Sequence, residues 1–299
     1  MIALYAKGLQ SLSFKKMLPS WIILDELITR WLKEDIGRGD QATQGLGRLV
    51  AGNGRAYWVV KEAGVVAGLP VAGRAFYLLE PRRNFRALVE EGAVVEKGSR
   101  IAEIDCQLST LLTGERVALN LVMRLSGIAT MTKQFVDEIA DLPAQFVDTR
   151  KTTPGLRILE KHAAFVGGAQ NHRMGLDDGV MIKDNHIAAA GGIGAAVQQV
   201  RGRVPYPVTV EVETEDLAQV KEAIAHKADI IMLDNMPVEM MRKAVNQIRA
   251  ANRRIKIEAS GNVSLKTIRA IAETGVDYIS SSAPITRSPW LDISMRVQA

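Results

Sequence analysis

The sequence predicts an α/β protein in which a mostly antiparallel α+β domain precedes an α/β barrel. Two observations predict the barrel. Short branched apolar runs alternate with amphipathic segments through the C-terminal half. Polar residues stand at the carboxyl end of each of these apolar runs. A third observation predicts the first domain, where glycine turns separate short runs of alternating polarity.

Six apolar runs in the second half are expected to be buried parallel strands, because they are short and rich in branched residues. They are "QFVDT", "GVMIKDN", "VTVEVE", "ADIIMLDN", "IKIEASG" and "VDYISSS". The segments between them place apolar residues at three-to-four spacing with charges opposite, as in "PVEMMRKAVNQIRAAN". This alternation predicts a chain of βα units.

The N-terminal part begins with the helical pattern "WIILDELITRWLKEDIG", and "LLTGERVALNLVMRLSGIAT" is expected to be a helix that leads into the barrel. "WLDISMRVQA" predicts a last strand that returns to the first domain. The expected divisions are an extension over 1–16, a sandwich domain over 17–118 joined by 288–299, and a barrel over 119–287. A start of the protein at Met17 stays open.

Composition points to a globular, soluble protein of the cytoplasm. Of 299 residues, 47% are hydrophobic and 24% are charged. No run approaches the roughly 20 apolar residues of a membrane span, and the single Cys106 matches no disulfide or zinc spacing, so it is expected to serve packing. The net charge of +5 suits either a nucleic-acid binder or an enzyme with anionic substrates.

Polar residues stand at the carboxyl end of all six predicted strands. Because barrels keep their active sites at that end, these residues are expected to converge on one site. They are Thr149, Arg150, Lys151, Lys183, Asp184, Glu213, Asp234, Asn235, Ser260, Gly261, Ser281 and Ser282.

The cations are concentrated between Asp148 and His186, a block that holds three of the four histidines of the chain. Arg and Lys suit carboxylates and phosphates, and histidine moves protons. The cations are scattered through glycine-rich turns with few aromatics among them, which disfavours nucleic acid. A structural ion-pair network, or a Schiff-base role for Lys183, stays open.

Two further motifs have both a functional and a structural interpretation. Glu213 and Asp234 can flank a sugar ring or bind a divalent cation, although Asp234 can equally cap the following helix. "EASGNVS" ends a strand just before a helix, where backbone N–H groups can hold a phosphate; a plain tight turn fits as well.

Long ordered motifs resemble those of the quinolinate phosphoribosyltransferase family, from about Leu18 to the C-terminus. They are "EDIGRGDQAT", "ERVALNLVMRLSGIAT", "DTRKTTPGLR", "NHRMGLDDGVMIKDNHI", "MLDN" and "EASGN". The resemblance implies an N-terminal α+β open sandwich followed by an incomplete, TIM-like α/β barrel. It also implies phosphoribosyl transfer from phosphoribosyl pyrophosphate to quinolinate with decarboxylation, giving nicotinate mononucleotide for NAD synthesis.

The resemblance further implies a role for individual residues. Thr149, Arg150, Lys151, His172, Arg173 and Lys183 match residues that face quinolinate, with Lys151 and Lys183 also counted as catalytic. Glu213 and Asp234 match a catalytic acidic pair near the ribose and Mg²⁺. Ser260, Gly261, Asn262, Ser281, Ser282 and Ala283 match positions that hold phosphate. The assembly is expected to be a homodimer or hexamer in which Arg116 reaches the neighbouring site.

The chain departs from the family pattern at two places. Ala169 stands where many relatives have a glycine, and "SSSAPIT" replaces a shorter glycine-containing loop, with Ser282 in the glycine's place. The remaining alternatives are a paralogous phosphoribosyltransferase of the molybdate-transport-associated type, a barrel lyase that uses Lys183, and an RNA-binding module.

Overall fold

The computed structural model describes residues 18–298, so the predicted extension over 1–16 lies outside the described residues. The chain packs into two compact units. Unit 1 comprises 18–132, 153–167 and 287–298 of the described part, and unit 2 comprises 133–152 and 168–286.

The six predicted barrel strands occur in the expected order, with further elements between them. The first half contains α1 (Trp21–Ile36), α2 (Gln41–Leu46), a 3₁₀ turn (Gly47–Val50), β1 (Asn53–Val60), β2 (Gly64–Val65), α3 (Leu69–Leu79), β3 (Asn84–Ala87), β4 (Val94–Val95), β5 (Arg100–Gln107) and α4 (Leu108–Asp137). The second half contains β6 (Gln145–Val147), α5 (Arg157–Val166), β7 (Val180–Ile182), α6 (Asp184–Ala190), α7 (Ile193–Arg201), β8 (Val210–Thr214), α8 (Leu217–Ala225), β9 (Ile230–Asp234), α9 (Val238–Ala251), β10 (Lys256–Ser260), α10 (Ile268–Ala272), β11 (Tyr278–Ser280), α11 (Ala283–Thr286) and β12 (Ile293–Gln298).

Unit 1 is built on a four-stranded sheet in the order β12-β1-β5-β3, in which every neighbouring pair is antiparallel. The C-terminal strand β12 pairs with β1, which confirms the predicted return of the chain to the first domain. Its core holds an aromatic cluster, where Trp58 meets Phe85 edge-on at 5.9 Å between ring centroids and Phe76 stacks on Phe85 at 6.5 Å.

Unit 2 is built on a six-stranded sheet in the order β6-β11-β10-β9-β8-β7, and all of its pairs are parallel. Strands β6 and β7 remain at the two edges, so strand pairing does not close the barrel. An isolated bridge between Val147 and Gln170 instead places the segment after α5 beside β6. The expected incomplete, TIM-like barrel is therefore confirmed, and Val212, Ile231 and Ile257 are fully buried side by side on one face of its sheet.

Two smaller expectations concern Cys106 and membranes. Cys106 is buried, and burial raises the pKa of its thiol to about 12, with the nearby charges of Glu80 and Asp105 adding to the rise. It is therefore an inert packing group at neutral pH. Within the described residues, no helix combines the length and the apolar character that a bilayer-crossing helix needs.

Candidate active site

A cleft of about 670 Å³ opens at the carboxyl ends of the unit 2 strands. Parallel strands bring these ends to one edge of the sheet, which is where the sequence predicts the site. The cleft is lined by Thr149, Arg150, Lys151, His172, Arg173, Met181, Lys183, Glu213, Met232, Asp234, Asn235, Glu258, Ser260, Gly261, Asn262 and Ser280.

The cationic turn after β6 explains how two adjacent cations reach one cleft. Strand β6 ends at Val147, and the chain then turns, because the Lys151 N–H donates to Thr149 Oγ1 at 3.1 Å and the Thr152 N–H donates to the Arg150 carbonyl at 3.0 Å. In a strand the two side chains would point to opposite faces. Outside it, Arg150 and Lys151 both line the same cavity.

Three of the cations that line the cleft form no ion pair within 4 Å in the described part of the chain, although the charge of Glu211 still acts on Arg173. Arg150 Nε is buried with no hydrogen-bond partner among residues 18–298, and Lys151 forms no ion pair within that range. Arg173 Nη1 donates to the Gly179 carbonyl at 2.9 Å, and burial together with the nearby charge of Arg150 lowers the pKa of Arg173. Like charges gathered without a carboxylate partner favour the binding of an anion.

The acidic groups of the cleft come from β8 and β9. Glu213 Oε2 lies 2.6 Å from Lys183 Nζ, and the Asn235 side chain donates to Asp234 Oδ2 at 2.8 Å. This contact engages Lys183 Nζ with a carboxylate, whereas a Schiff-base lysine needs a free amine to attack a carbonyl. The pairing therefore argues against the lyase alternative.

His172 is held between two buried carboxylates that sequence reasoning missed. Its Nε2 lies 3.2 Å from Glu211 Oε2 and 3.4 Å from Glu258 Oε2, and its backbone N–H donates to Asp148 Oδ1 at 2.8 Å. The Arg173 N–H donates to His172 Nδ1 at 2.7 Å. Every polar atom of the ring is therefore engaged, which fixes the orientation of His172 in the wall of the cleft.

The triad formed by His172, Glu211 and Glu258 is the one group of three His, Cys, Asp or Glu ligand atoms within 4.8 Å of one another in the described part of the chain. This set of ligands would suit a transition metal. However, Nδ1 accepts a hydrogen bond, so the ring proton belongs on Nε2, the atom that a metal would need. We therefore describe the triad as a hydrogen-bonded cluster.

Two members of the triad, His172 and Glu211, have raised pKa values. Burial by itself lowers the pKa of His172, but hydrogen bonds to Glu211 and Glu258 outweigh it and raise the value to about 10. For the Glu211 carboxyl, burial has the opposite effect and raises the pKa, and repulsion from Glu258 adds to that rise. A second proton on the His172 ring must displace the hydrogen bond from Arg173 to Nδ1, which opposes the rise.

We expect His172 to titrate above the ordinary histidine pKa of about 6.5, as measured by NMR of the imidazole nitrogens. Since the folded-state pKa is the higher one, the stabilisation from the triad is present below pH 6.5 and is lost as the pH rises towards 10. The Glu211→Gln variant should lower the pKa of His172. Titration of His172 at or below 6.5 in the wild type would contradict this expectation.

The predicted phosphate residues divide into two groups. Ser260, Gly261 and Asn262 line the cleft, whereas Ser281, Ser282 and Ala283 do not. Ser281 Oγ instead donates to the Val263 carbonyl at 3.3 Å and accepts from the Ala283 N–H at 3.2 Å. Ser280, the last residue of β11, lines the cleft instead, and its buried Oγ has no partner among the described residues.

Arg116 lies on α4 in unit 1 and does not line this cleft. It borders a different cavity of about 610 Å³ within unit 1, together with Trp31, Asn120 and Trp290. Its side chain is 60% exposed, and its nearest carboxylate is Glu115 Oε1 at 4.0 Å. Arg116 is thus an exposed cation without a close partner in the described residues.

The other cations of the 148–186 block serve packing and helix ends. Lys161 and His162 on α5 are buried, and His162 Nε2 lies 3.2 Å from Glu91 Oε2. His186 Nδ1 accepts from the Lys183 N–H at 3.0 Å at the start of α6. The structural interpretation of the block therefore holds for these residues.

Three polar residues of the cleft and its wall were missed, namely Glu211, Glu258 and Ser280, and Asn235 was expected at a strand end without a role of its own. A signal for two of them was present in the sequence. Glu211 and Glu258 each sit inside an apolar run that is otherwise suited to a buried strand, and a buried carboxylate requires a partner. Which partner it finds depends on the tertiary structure.

Two family profiles together cover most of the chain. That of the quinolinate phosphoribosyl transferase N-terminal domain matches residues 41–126, and that of the C-terminal domain of the same enzyme matches residues 128–296. The chain belongs to the quinolinate phosphoribosyltransferase family.

Relatives within the quinolinate phosphoribosyltransferase family match over nearly their full length. The chain is 61% identical over 280 residues to a probable nicotinate-nucleotide pyrophosphorylase [carboxylating] of Synechocystis sp., covering 94% of both chains. It is 44% identical to the protein of the same name from Bacillus subtilis, covering 92% of this chain and 93% of that one. The solved structure of NadC from Streptococcus pyogenes superposes with a TM-score of 0.88 at 40% identity, covering 94% of this chain and 98% of that one.

Proposed function

We propose that this enzyme transfers the phosphoribosyl group of phosphoribosyl pyrophosphate to quinolinate, releasing pyrophosphate and CO₂ and leaving nicotinate mononucleotide for NAD biosynthesis. The observation that carries the proposal is one cleft that combines three cations without counterions with an acidic pair at the ends of neighbouring strands. The names of the Synechocystis and Bacillus relatives support the same reaction.

The cations of the cleft differ in burial, and we assign their binding roles from this difference. Arg150 is partly buried and close enough to Arg173 to influence its pKa, so these two guanidiniums suit the adjacent carboxylates of a flat diacid. Lys151 is exposed at the mouth of the cleft. Its flexible ammonium suits the pyrophosphate of the donor, which carries more charge and leaves during the reaction.

Glu213 and Asp234 stabilise the transfer step. As the bond from C1 of the ribose to pyrophosphate breaks, positive charge grows on the sugar, and two carboxylates at the strand ends lower the free energy of that state. The ring nitrogen of quinolinate then attacks C1. Lys183, whose Nζ lies 2.6 Å from Glu213 Oε2, fixes the orientation of that carboxylate.

Loss of CO₂ follows from the new charge on the ring. Once the nitrogen is alkylated, the pyridinium accepts electron density, so the bond from C2 to the carboxyl carbon breaks and its electron pair stays on C2. A proton from Lys183 or from solvent then completes nicotinate mononucleotide.

Magnesium is proposed as the metal of this reaction, held by Glu213 and Asp234 directly or through the phosphoribosyl donor. Carboxylate oxygens are the ligands that Mg²⁺ prefers. Glu213 Oε2 is already paired with Lys183, and Asp234 Oδ2 with Asn235, which favours binding through the donor. The bound ion would neutralise charge on the leaving pyrophosphate.

The decisive experiment measures CO₂ and nicotinate mononucleotide formed from quinolinate, with and without phosphoribosyl pyrophosphate and magnesium. Product that depends on the donor supports the proposal, and its absence refutes it. Nicotinate in place of quinolinate is the control. A preference for nicotinate would show that the second carboxylate is not recognised by Arg150 and Arg173.

We further propose that the enzyme acts as a homodimer or larger assembly in which Arg116 serves the site of a neighbouring subunit. The exposure of Arg116 and its lack of a close counterion support this role. Mixing inactive Arg116→Ala and Lys183→Ala subunits tests it, since hybrid dimers should regain activity. Hybrids that remain inactive would refute a shared site. The cytoplasmic location stays a prediction.

A further inference from the structure

Asn235, the residue after the catalytic Asp234, forms a bridge between two parts of the cleft. Its side-chain amide donates to Asp234 Oδ2 at 2.8 Å, while its own Oδ1 accepts from the Asn262 side-chain amide at 3.0 Å. The assignment of the amide follows from its neighbours, because the carboxylate can only accept and the Asn262 nitrogen can only donate. The bridge thus connects the acidic group on β9 with the loop after β10.

The backbone of this region is shaped around the bridge. Asn235 and Asn262 both adopt the left-handed conformation, with φ of 53° and 50°, and Gly261 between the strand and Asn262 has φ of 92°. Such values are uncommon for residues with a Cβ and cluster at functional sites. The Asn235 N–H also donates to the Ser260 carbonyl at 2.9 Å, which extends the pairing of β9 with β10 by one residue.

Gly261 leaves room for the bridge. A Cβ at this position would overlap the Asn235 side-chain carboxamide and come within 2.9 Å of the Asn235 backbone nitrogen. The small residue of the loop is therefore required by Asn235 as well as by its own positive φ. Asp234 keeps Oδ1 as the carboxylate oxygen without a hydrogen bond to the described residues.

We propose that Asn235 is a positioning residue that couples the binding of the donor's phosphate at loop 260–262 to the orientation of the Asp234 carboxylate. This inference rests on the proposed function. Phosphate bound at the loop holds Asn262, Asn262 holds the Asn235 carboxamide, and Asn235 directs Asp234 towards the ribose. The consequence is that phosphate bound at the loop further stabilises the orientation that the bridge already gives to the Asp234 carboxylate.

The test uses Asn235→Gly, because glycine adopts a φ of 53° without strain and the change therefore removes only the side chain. Lys227→Gly is the matched control, since Lys227 is exposed, has φ of 60° and does not line the cleft. We expect Asn235→Gly to lower kcat by about 10-fold and to raise the KM for the donor by about 10-fold. Each factor corresponds roughly to the loss of one hydrogen bond to a charged group. The KM for quinolinate and the Tm should match those of the control.

Further variants distinguish the proposed coupling between phosphate binding and Asp234 from a general loss of structure. Asn262→Gly breaks the bridge at its other end, so the free-energy loss in the double variant should be smaller than the sum of the two single losses. Asn235→Asp keeps the acceptor for Asn262 but places a second carboxylate beside Asp234. Its rate should therefore fall further and recover partly as the pH is lowered.

Wild-type kinetics in Asn235→Gly, or additive losses in the double variant, would overturn the inference. A fall in Tm with equal changes in the KM of both substrates would also overturn it, because that result indicates a purely structural role. A wild-type enzyme without donor-dependent product would instead refute the proposed function. Calorimetric titration of the donor alone, with magnesium, gives the binding effect without turnover.

Discussion

Replacing Glu213 by glutamine is expected to lower kcat by about 100-fold, with the KM for quinolinate within about twofold of the wild type. Glutamine has the same shape and still accepts a hydrogen bond from Lys183, which lies 2.6 Å from Glu213 Oε2. What it lacks is the negative charge opposite the developing positive charge on the ribose. Because that charge appears only in the transition state, the loss falls on kcat.

Steady-state kinetics with both substrates varied will measure this effect, and Glu215→Gln is the control. Glu215 is exposed just beyond the end of β8 and does not line the cleft. The electrostatic role of Glu213 would be disproved by a Glu213→Gln enzyme that keeps more than half of its kcat. It would also be disproved by an equal loss in the Glu215 variant.

Replacing Arg150 by alanine is expected to raise the KM for quinolinate by about 100-fold, which corresponds to the loss of two charge-assisted hydrogen bonds. Arg150 lines the cleft and forms no ion pair among residues 18–298, so its guanidinium can bind a ligand there. Arg150→Lys should recover only part of the loss, because an ammonium cannot make the paired contacts of a guanidinium.

The KM for the phosphoribosyl donor should respond differently from the KM for quinolinate. It should change little in Arg150→Ala and rise strongly in Lys151→Ala, since Lys151 is the exposed cation of the turn. Arg253→Ala, on the exposed surface, controls for a general loss of positive charge. An unchanged KM for quinolinate in Arg150→Ala would remove Arg150 from the acid-binding role.

The order and type of the elements were accessible from the sequence because they depend on local periodicity. The six apolar runs became β6 to β11, and the last predicted strand pairs with β1. An unpredicted short helix, α6, follows directly after Lys183. Its capping depends on His186, whose Nδ1 accepts from the Lys183 N–H, and hydrophobic spacing carries no signal for such a contact.

Most of the residues that line the cleft could also be predicted from the sequence. Parallel strands present their carboxyl ends at one edge, so polar residues at those ends had to meet. Eleven predicted site residues line the cleft, from Thr149 to Asn262. Ser281 does not line the cleft, since its Oγ donates to the Val263 carbonyl, and the neighbouring Ser280 lines it instead.

The sequence by itself determined that a barrel sheet would gather cations and carboxylates at its carboxyl edge, because strand period and strand-end chemistry are local properties. Only the tertiary structure decided which of those charges are paired. Lys183 meets Glu213 across 30 positions of the chain, His172 lies between Glu211 and Glu258, and Arg150 has no counterion among residues 18–298. Interaction energies between charges depend on distance and burial, and the folded chain alone sets these for residues remote in sequence.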